Sequence, residues 1–125
     1  MKYFTLLLLI ILLISCENKL SKVEKLLLDP SKKWVYYENY STLDVKKTKF
    51  LTYMKFEKDG KYSNFYLRSN IQYGNKEYWQ YLNESSELEL ITFNFVVHQV
   101  YEDSIILKNK KNNRIVKLLN HNVLE

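Results

Sequence analysis

The sequence predicts an all-β fold, a small antiparallel meander barrel of about eight strands preceded by one short N-terminal helix. Three observations carry this expectation. From Trp34 onward apolar residues recur with a period of two, the period of a strand with one face buried. These runs are interrupted at roughly 8–12-residue intervals by clusters of Asp, Asn, Gly and Ser, the rhythm of sequential hairpins. Helical spacing occurs only ahead of Trp34.

The chain begins "MKYFTLLLLIILLIS", with one positive charge, Lys2, and an uninterrupted apolar run from Leu6 to Ile14. A membrane-spanning helix needs about 20 apolar residues to cross roughly 30 Å of hydrocarbon, so the run is short for a span. A basic start, a short apolar middle and the small Ser15 have instead the layout of a signal peptide over residues 1–15. The only cysteine, Cys16, follows at once.

The string Leu13, Ile14, Ser15, Cys16 resembles the lipobox of bacterial lipoproteins. The resemblance implies that the Cys16 thiol receives a diacylglyceryl group, that cleavage occurs before it, and that its new amine is acylated. A thiol is the one side chain here that is a good soft nucleophile near neutral pH. Several acyl chains, each buried methylene contributing about 0.8 kcal/mol, make such an anchor stable. The competing reading is a buried core cysteine. With Cys16 acylated, no thiol remains for a disulfide, a redox pair or a thiolate metal site. Glu17 stands where an aspartate favours inner-membrane retention in well-studied envelopes. The resemblance therefore implies a lipid-anchored cell-envelope protein, at the outer rather than the inner membrane. Richness in Lys, Asn, Ile and Tyr resembles AT-rich genomes of the Bacteroidetes type, whose lipoproteins often carry an acidic export signal just after the cysteine; here Glu17 is the only acidic residue before Glu24, so surface display is not expected.

Residues 16–30 read as a lipidated tether and a short amphipathic helix. Leu20, Val23 and Leu27 recur at helical spacing, Leu26 and Leu28 widen the stripe, and Pro30 ends it. The helix is expected to close one end of the following domain, the alternative being that it lies along the bilayer.

Residues 31–125 form the β domain. "KKWVYYENY" places Trp34, Tyr36 and Tyr40 on one face with Glu38 between them. "KFLTYMKFEKDGKYSNFYLR" reads as two strands joined at "EKDG", with Phe50, Met54 and Phe56 sharing a face. After a looser connection, "SNIQYGN", come "KEYWQYL", the turn "NESSE", and "LELITF", in which Leu88 and Leu90 should point inward. "NFVVHQVYE", a turn at Asp103 and Ser104, "IILKN", a tip within Lys108 to Arg114, and "RIVKLLN" complete the meander.

The order of Trp34, the hairpin "MKFEKDGKY", "YWQYLNESSELEL" and "VYEDSIILKN" resembles the small lipocalin-like lipoproteins of Bacteroidetes. Phe56, Asp59, Gly60, Tyr62, Trp79, Leu88, Leu90, Asp103, Ser104, Ile106 and Leu107 carry the likeness. Lipocalins begin their barrel with Gly-x-Trp, whereas this chain has Lys32, Lys33 and Trp34. The resemblance implies a fold more than an activity, since one barrel serves many functions.

The 125 residues carry Lys+Arg 19 and Asp+Glu 14, a formal +5. Lysines and acids are interspersed rather than gathered into a stripe, so nucleic acid is not an expected partner. No phosphate-cradling glycine loop can be built from Gly60 and Gly74, and His98 and His121 belong to no HExxH motif. Glu87 and Glu89 share a strand face, a spacing able to bring two carboxylates together and equally that of a solvated face. No catalytic site, metal site or cofactor follows, and enzymatic activity is not expected. Trp34, Tyr36, Tyr40, Phe56, Tyr78, Trp79 and Tyr81 are the candidates to line a ligand pocket or build the core. The expected function is binding of a small apolar or amphiphilic ligand in the envelope. The alternative is a protein-binding module, such as an inhibitor, an immunity lipoprotein or an accessory subunit, recognisable by an exposed aromatic patch.

Overall fold

The computed structural model describes residues 20–38 and 52–124. The signal segment, Cys16, Tyr40 and Phe50 lie outside the described residues. Helix α1 (Lys22–Leu27) precedes strands β1 (Trp34–Glu38), β2 (Thr52–Phe56), β3 (Lys61–Tyr66), β4 (Gln72–Leu82), β5 (Glu87–Leu90), β6 (Phe93–Tyr101), β7 (Ser104–Asn109) and β8 (Ile115–Asn120). The strands pair in sequence order and the sheet closes in a ring. Each neighbour is antiparallel, and β1 meets β8 in a register running from Trp34↔Asn120 to Glu38↔Val116. This all-β meander with one short N-terminal helix is compatible with a lipocalin-like fold.

Antiparallel order sends successive turns to alternate ends of the ring. The β2–β3, β4–β5 and β6–β7 turns share one end, the base, with the start of β1; the β3–β4, β5–β6 and β7–β8 turns share the other, the mouth. The period of two in the sequence separates inside from outside. Trp34, Phe56, Trp79, Leu88, Leu90, Phe95, Leu107 and Leu118 all enter one core cluster, and Leu88 and Leu90 are buried as the alternating "ELEL" predicts.

Helix α1 caps the base. Its N-terminus carries a full capping box: the Glu24 amide donates to Ser21 Oγ at 3.2 Å and the Ser21 amide to Glu24 Oε1 at 3.3 Å. These bonds satisfy donors that a six-residue helix cannot pair internally. Val23 and Leu27 then enter the barrel core, with Leu26 and Leu28 packed against it. Pro30 and an Asp29–Ser31 turn end the helix: Asp29 Oδ1 accepts from the Ser31 amide at 2.9 Å and hydroxyl at 2.7 Å. The chain is then clasped to the β6–β7 turn. Lys32 Nζ donates to the Glu102 carbonyl and lies 3.8 Å from Asp103 Oδ1. Asn120 Nδ2 donates to Asp103 at 2.9 Å while its Oδ1 accepts from the Lys33 amide at 3.0 Å. Buried Lys32 and Asn120 are thus both engaged.

The β2–β3 turn is fixed by Trp79, whose indole Nε1 donates to the carbonyls of Glu57 at 3.0 Å and Lys61 at 3.1 Å. Gly60 supplies the φ of +83° that this turn requires.

Two features differ from the sequence pattern. Strand β4 begins at Gln72, inside the stretch expected to be a loose connection. Gly74, at φ +67°, absorbs a register shift, so that Tyr62 pairs Glu77 while Asn64 pairs Tyr73; the pairing survives because the extra residues leave the ladder as a bulge. The ring also has an outer apolar cluster, in which Val35, Tyr37 and Tyr53 are buried with Phe65, Leu67 and Leu119 packed against them. Tyr53 stacks on Phe65 with centroids 5.2 Å apart.

Candidate functional site

The inner face of the barrel changes character between its ends. At the base, Trp34 is 0% exposed and its ring lies 5.8 Å from Lys32 Nζ. Phe56 meets Trp79 edge-on at 5.2 Å and Tyr62 at 5.4 Å. Side chains fill this half.

Toward the mouth the filling stops, and a cavity of about 400 Å³ opens, within the range of about 300–1,000 Å³ usual for small-molecule sites. Met54, Leu90 and Phe95 give it an apolar floor. Tyr36, Glu38, Asn64 and Asn109 bring polar atoms to its wall. Each is placed by strand alternation: Glu38 follows Trp34 and Tyr36, Asn64 follows Tyr62, and Asn109 follows Ile105 and Leu107 at two-residue steps.

Glu38 has two partners among the described residues. The Tyr36 hydroxyl donates to Glu38 Oε1 at 3.1 Å, and the Tyr36 ring packs edge-on against Phe95 with centroids 6.1 Å apart. Burial first, then the Glu38 charge and this hydrogen bond, push the Tyr36 phenol well above the ordinary tyrosine range, so it is a neutral donor. Burial, with a smaller contribution from Glu77, pushes Tyr62 up to about 12. Glu38 Oε2 lies 3.7 Å from Arg114 Nη1 on the β7–β8 turn, a pair open to solvent. Asn109 Oδ1 accepts from the Lys111 amide at 2.9 Å and shapes the same turn.

The rim is apolar and strained. Ile91 and Phe93 are 51% and 55% exposed, and both line the cavity. Ile91 occupies a φ of +57° in the two-residue turn between β5 and β6. A β-branched residue in that left-handed region is an outlier, costing about 1–2 kcal/mol where glycine would be free of it. An exposed apolar side chain held in an unfavourable conformation beside a cavity is the kind of strain that collects at ligand sites.

The structure divides the residues singled out from sequence. Tyr36 lines the cavity, Trp34, Phe56 and Trp79 are buried in the core, and Tyr81 packs against it half-buried. Tyr78 is 69% exposed, beside a shallow cleft with Asp59 and Gln80. The anchor residue Cys16 and Tyr40 lie outside the described residues. Glu87 is paired with Lys110 at 2.9 Å and Glu89 contacts Gln80, so each carboxylate has its own partner. Among the described residues no group of three or more His, Cys, Asp or Glu could hold a metal, and no helix is long and apolar enough to cross a membrane. Sequence reasoning missed Asn64, Asn109, Ile91 and Phe93, and gave Glu38 no role. The signal was available for three of these: Glu38, Asn64 and Asn109 are polar residues in inward phase, all toward the mouth.

No protein-family model, no curated protein and no solved structure matches the chain.

Proposed function

We propose that the chain is a lipid-anchored cell-envelope lipoprotein whose barrel binds one small apolar or amphiphilic ligand through its mouth. In this reading residues 1–15 are removed as a signal peptide, Cys16 carries the lipid, and the outer membrane is the destination. The observation that carries the binding role is the cavity of about 400 Å³, apolar below and polar along its wall, at the end of the barrel opposite α1. A filled barrel of this strand number would have served equally well as a scaffold. The lipid anchor rests on the lipobox residues alone.

A second reading, a protein-binding module, is favoured by a different observation. Tyr66, Ile71 and Tyr73 are exposed on the β3–β4 hairpin, with the two tyrosine rings in edge-on contact at 5.3 Å. Purification of the full chain from its own envelope in mild detergent, followed by native mass spectrometry, separates the two. A small molecule bound in one-to-one ratio supports the carrier reading. A stoichiometric protein with an empty cavity replaces it with the second. For the anchor, Cys16→Ala should abolish the acyl mass and release the protein from membranes; unchanged mass and partitioning would overturn the lipoprotein reading.

A further inference from the structure

The cavity wall is not neutral. Among the described residues that line it, Glu38 is the one charged side chain, and neither lysine nor arginine is among them. An ionised carboxylate offers about four lone-pair directions, and the described contacts occupy few of them. Tyr36 takes one, at 3.1 Å. Arg114 stands at 3.7 Å on the solvent side, beyond a good charge-assisted hydrogen bond, in an exposed pair of the kind that holds weakly and is screened by salt.

Aromatic side chains share the cavity wall with this carboxylate. Tyr36 and Phe95 are in edge-on contact beside it, Tyr62 lines the wall, and Phe93 lies at the rim. Ring faces carry the negative side of the aromatic quadrupole and attract cations, most strongly ammonium groups already partly stripped of water. A carboxylate among aromatic rings above an apolar floor therefore has one complementary ligand chemistry. Met54 and Leu90 suit a short hydrocarbon chain, and the wall above them suits a positive head.

We infer that the mouth cavity selects cationic amphiphiles, molecules with an aliphatic chain ending in an amine or quaternary ammonium group, over neutral or anionic molecules of the same chain. The inference rests on the cavity reading above and narrows it. An anionic head would bring like charge to Glu38, and a sugar head would leave the carboxylate without a counter-charge. On the lysine-rich β7–β8 tip Lys110 is paired with Glu87 at 2.9 Å, and no lysine of the tip is among the described residues that line the cavity.

The test is a titration of the full lipidated chain in phosphatidylcholine bilayer discs with hexyltrimethylammonium, hexyl glucoside and hexyl sulfate, with empty discs as reference. The ammonium probe should bind about tenfold tighter than the glucoside, the ratio expected when a cation gains a partly desolvated aromatic and carboxylate environment, and the sulfate weakest. Glu38→Gln should bring the affinity for the ammonium probe down to that for the glucoside, with an unchanged circular dichroism spectrum and unfolding midpoint reporting that the barrel is folded. Arg114→Ala should strengthen ammonium binding by freeing the carboxylate, and Glu87→Gln, on the outer face, should change nothing. Equal saturable binding of all three heads, or tighter binding of the sulfate, overturns the selectivity and leaves the cavity reading standing. Absence of saturable binding by every probe overturns the cavity reading together with the inference.

Discussion

The base and the mouth of this barrel are built from the same alternating strands and differ in what fills them. At the base α1 inserts Val23 and Leu27 into the core, and Lys32, Asp103 and Asn120 clasp the incoming chain to the β6–β7 turn. At the mouth polar residues replace apolar ones in inward phase, Ile91 and Phe93 stay exposed, and the β5–β6 turn is strained. At one end a helix adds apolar side chains to the core, whereas at the other exposed Ile91 and Phe93 border a cavity. Under the proposed function, stability and ligand binding draw on opposite ends of a very small domain, so each should be alterable with limited effect on the other.

The largest effect should come from the base. Leu27→Ala removes a fully buried side chain and is expected to lower stability by about 2–5 kcal/mol, read by denaturant unfolding. Affinity for hexyl glucoside under folding conditions should stay within about twofold, since Leu27 is not among the described residues that line the cavity. A large loss of affinity would dissolve the distinction between the two ends. Smaller, at about 1 kcal/mol, is the cost of Ser21→Ala, which removes the acceptor of the helix cap. Its diagnostic is faster amide exchange in α1 with unchanged exchange at the mouth.

At the mouth the sign should invert. Ile91→Gly relieves the left-handed strain, offset in part by the greater freedom of glycine in the unfolded chain, for a net gain of about 0.5–1 kcal/mol. The same change removes apolar rim surface, so apolar ligands should bind more weakly. Stabilisation with unaltered affinity would show that the strain has no bearing on the cavity.

The last effect shows only at high pH. The Tyr62 phenol is raised from its ordinary 10.0 to about 12 in the folded protein, so its contribution to stability is complete below pH 10 and is lost as pH climbs through about 12. Tyr62→Phe should therefore flatten this part of the alkaline unfolding profile, measured by circular dichroism. An unchanged profile would mean that Tyr62 is not held protonated by burial.

Most of the fold was legible in the sequence because its signals are local. Period-two alternation set the strands, "EKDG" set a turn around Gly60, and the Leu20–Leu28 stripe set a helix that closes the barrel. Strand β4 was cut short because Gly74 reads as a loop residue, while the register shift that lets a strand continue through it depends on the partner strand. The outer cluster around Tyr37 and Tyr53 was hidden for a related reason: alternation assigns one face inward and does not say what covers the other.

The site was less legible. Aromatic richness pointed to Trp34, Phe56 and Trp79, which the structure uses to fill the base, because large rings serve packing as readily as binding. Among the described candidates Tyr36 alone lines the cavity. The better guide was the exception to the pattern, a polar residue in inward phase, and Glu38, Asn64 and Asn109 all satisfy it. Which end of each strand meets which is set by the stagger of the ring, a nonlocal quantity that no single segment records.

The central claim, one closed end and one binding end, is tested most directly by methyl-resolved NMR of the full chain in bilayer discs, titrated with hexyl glucoside. Saturable shifts at the methyls of Met54 and Leu90, with Val23 and Leu27 unmoved, are the expected result. Shifts at Val23 and Leu27, or no saturable shift at Met54 and Leu90, would contradict it.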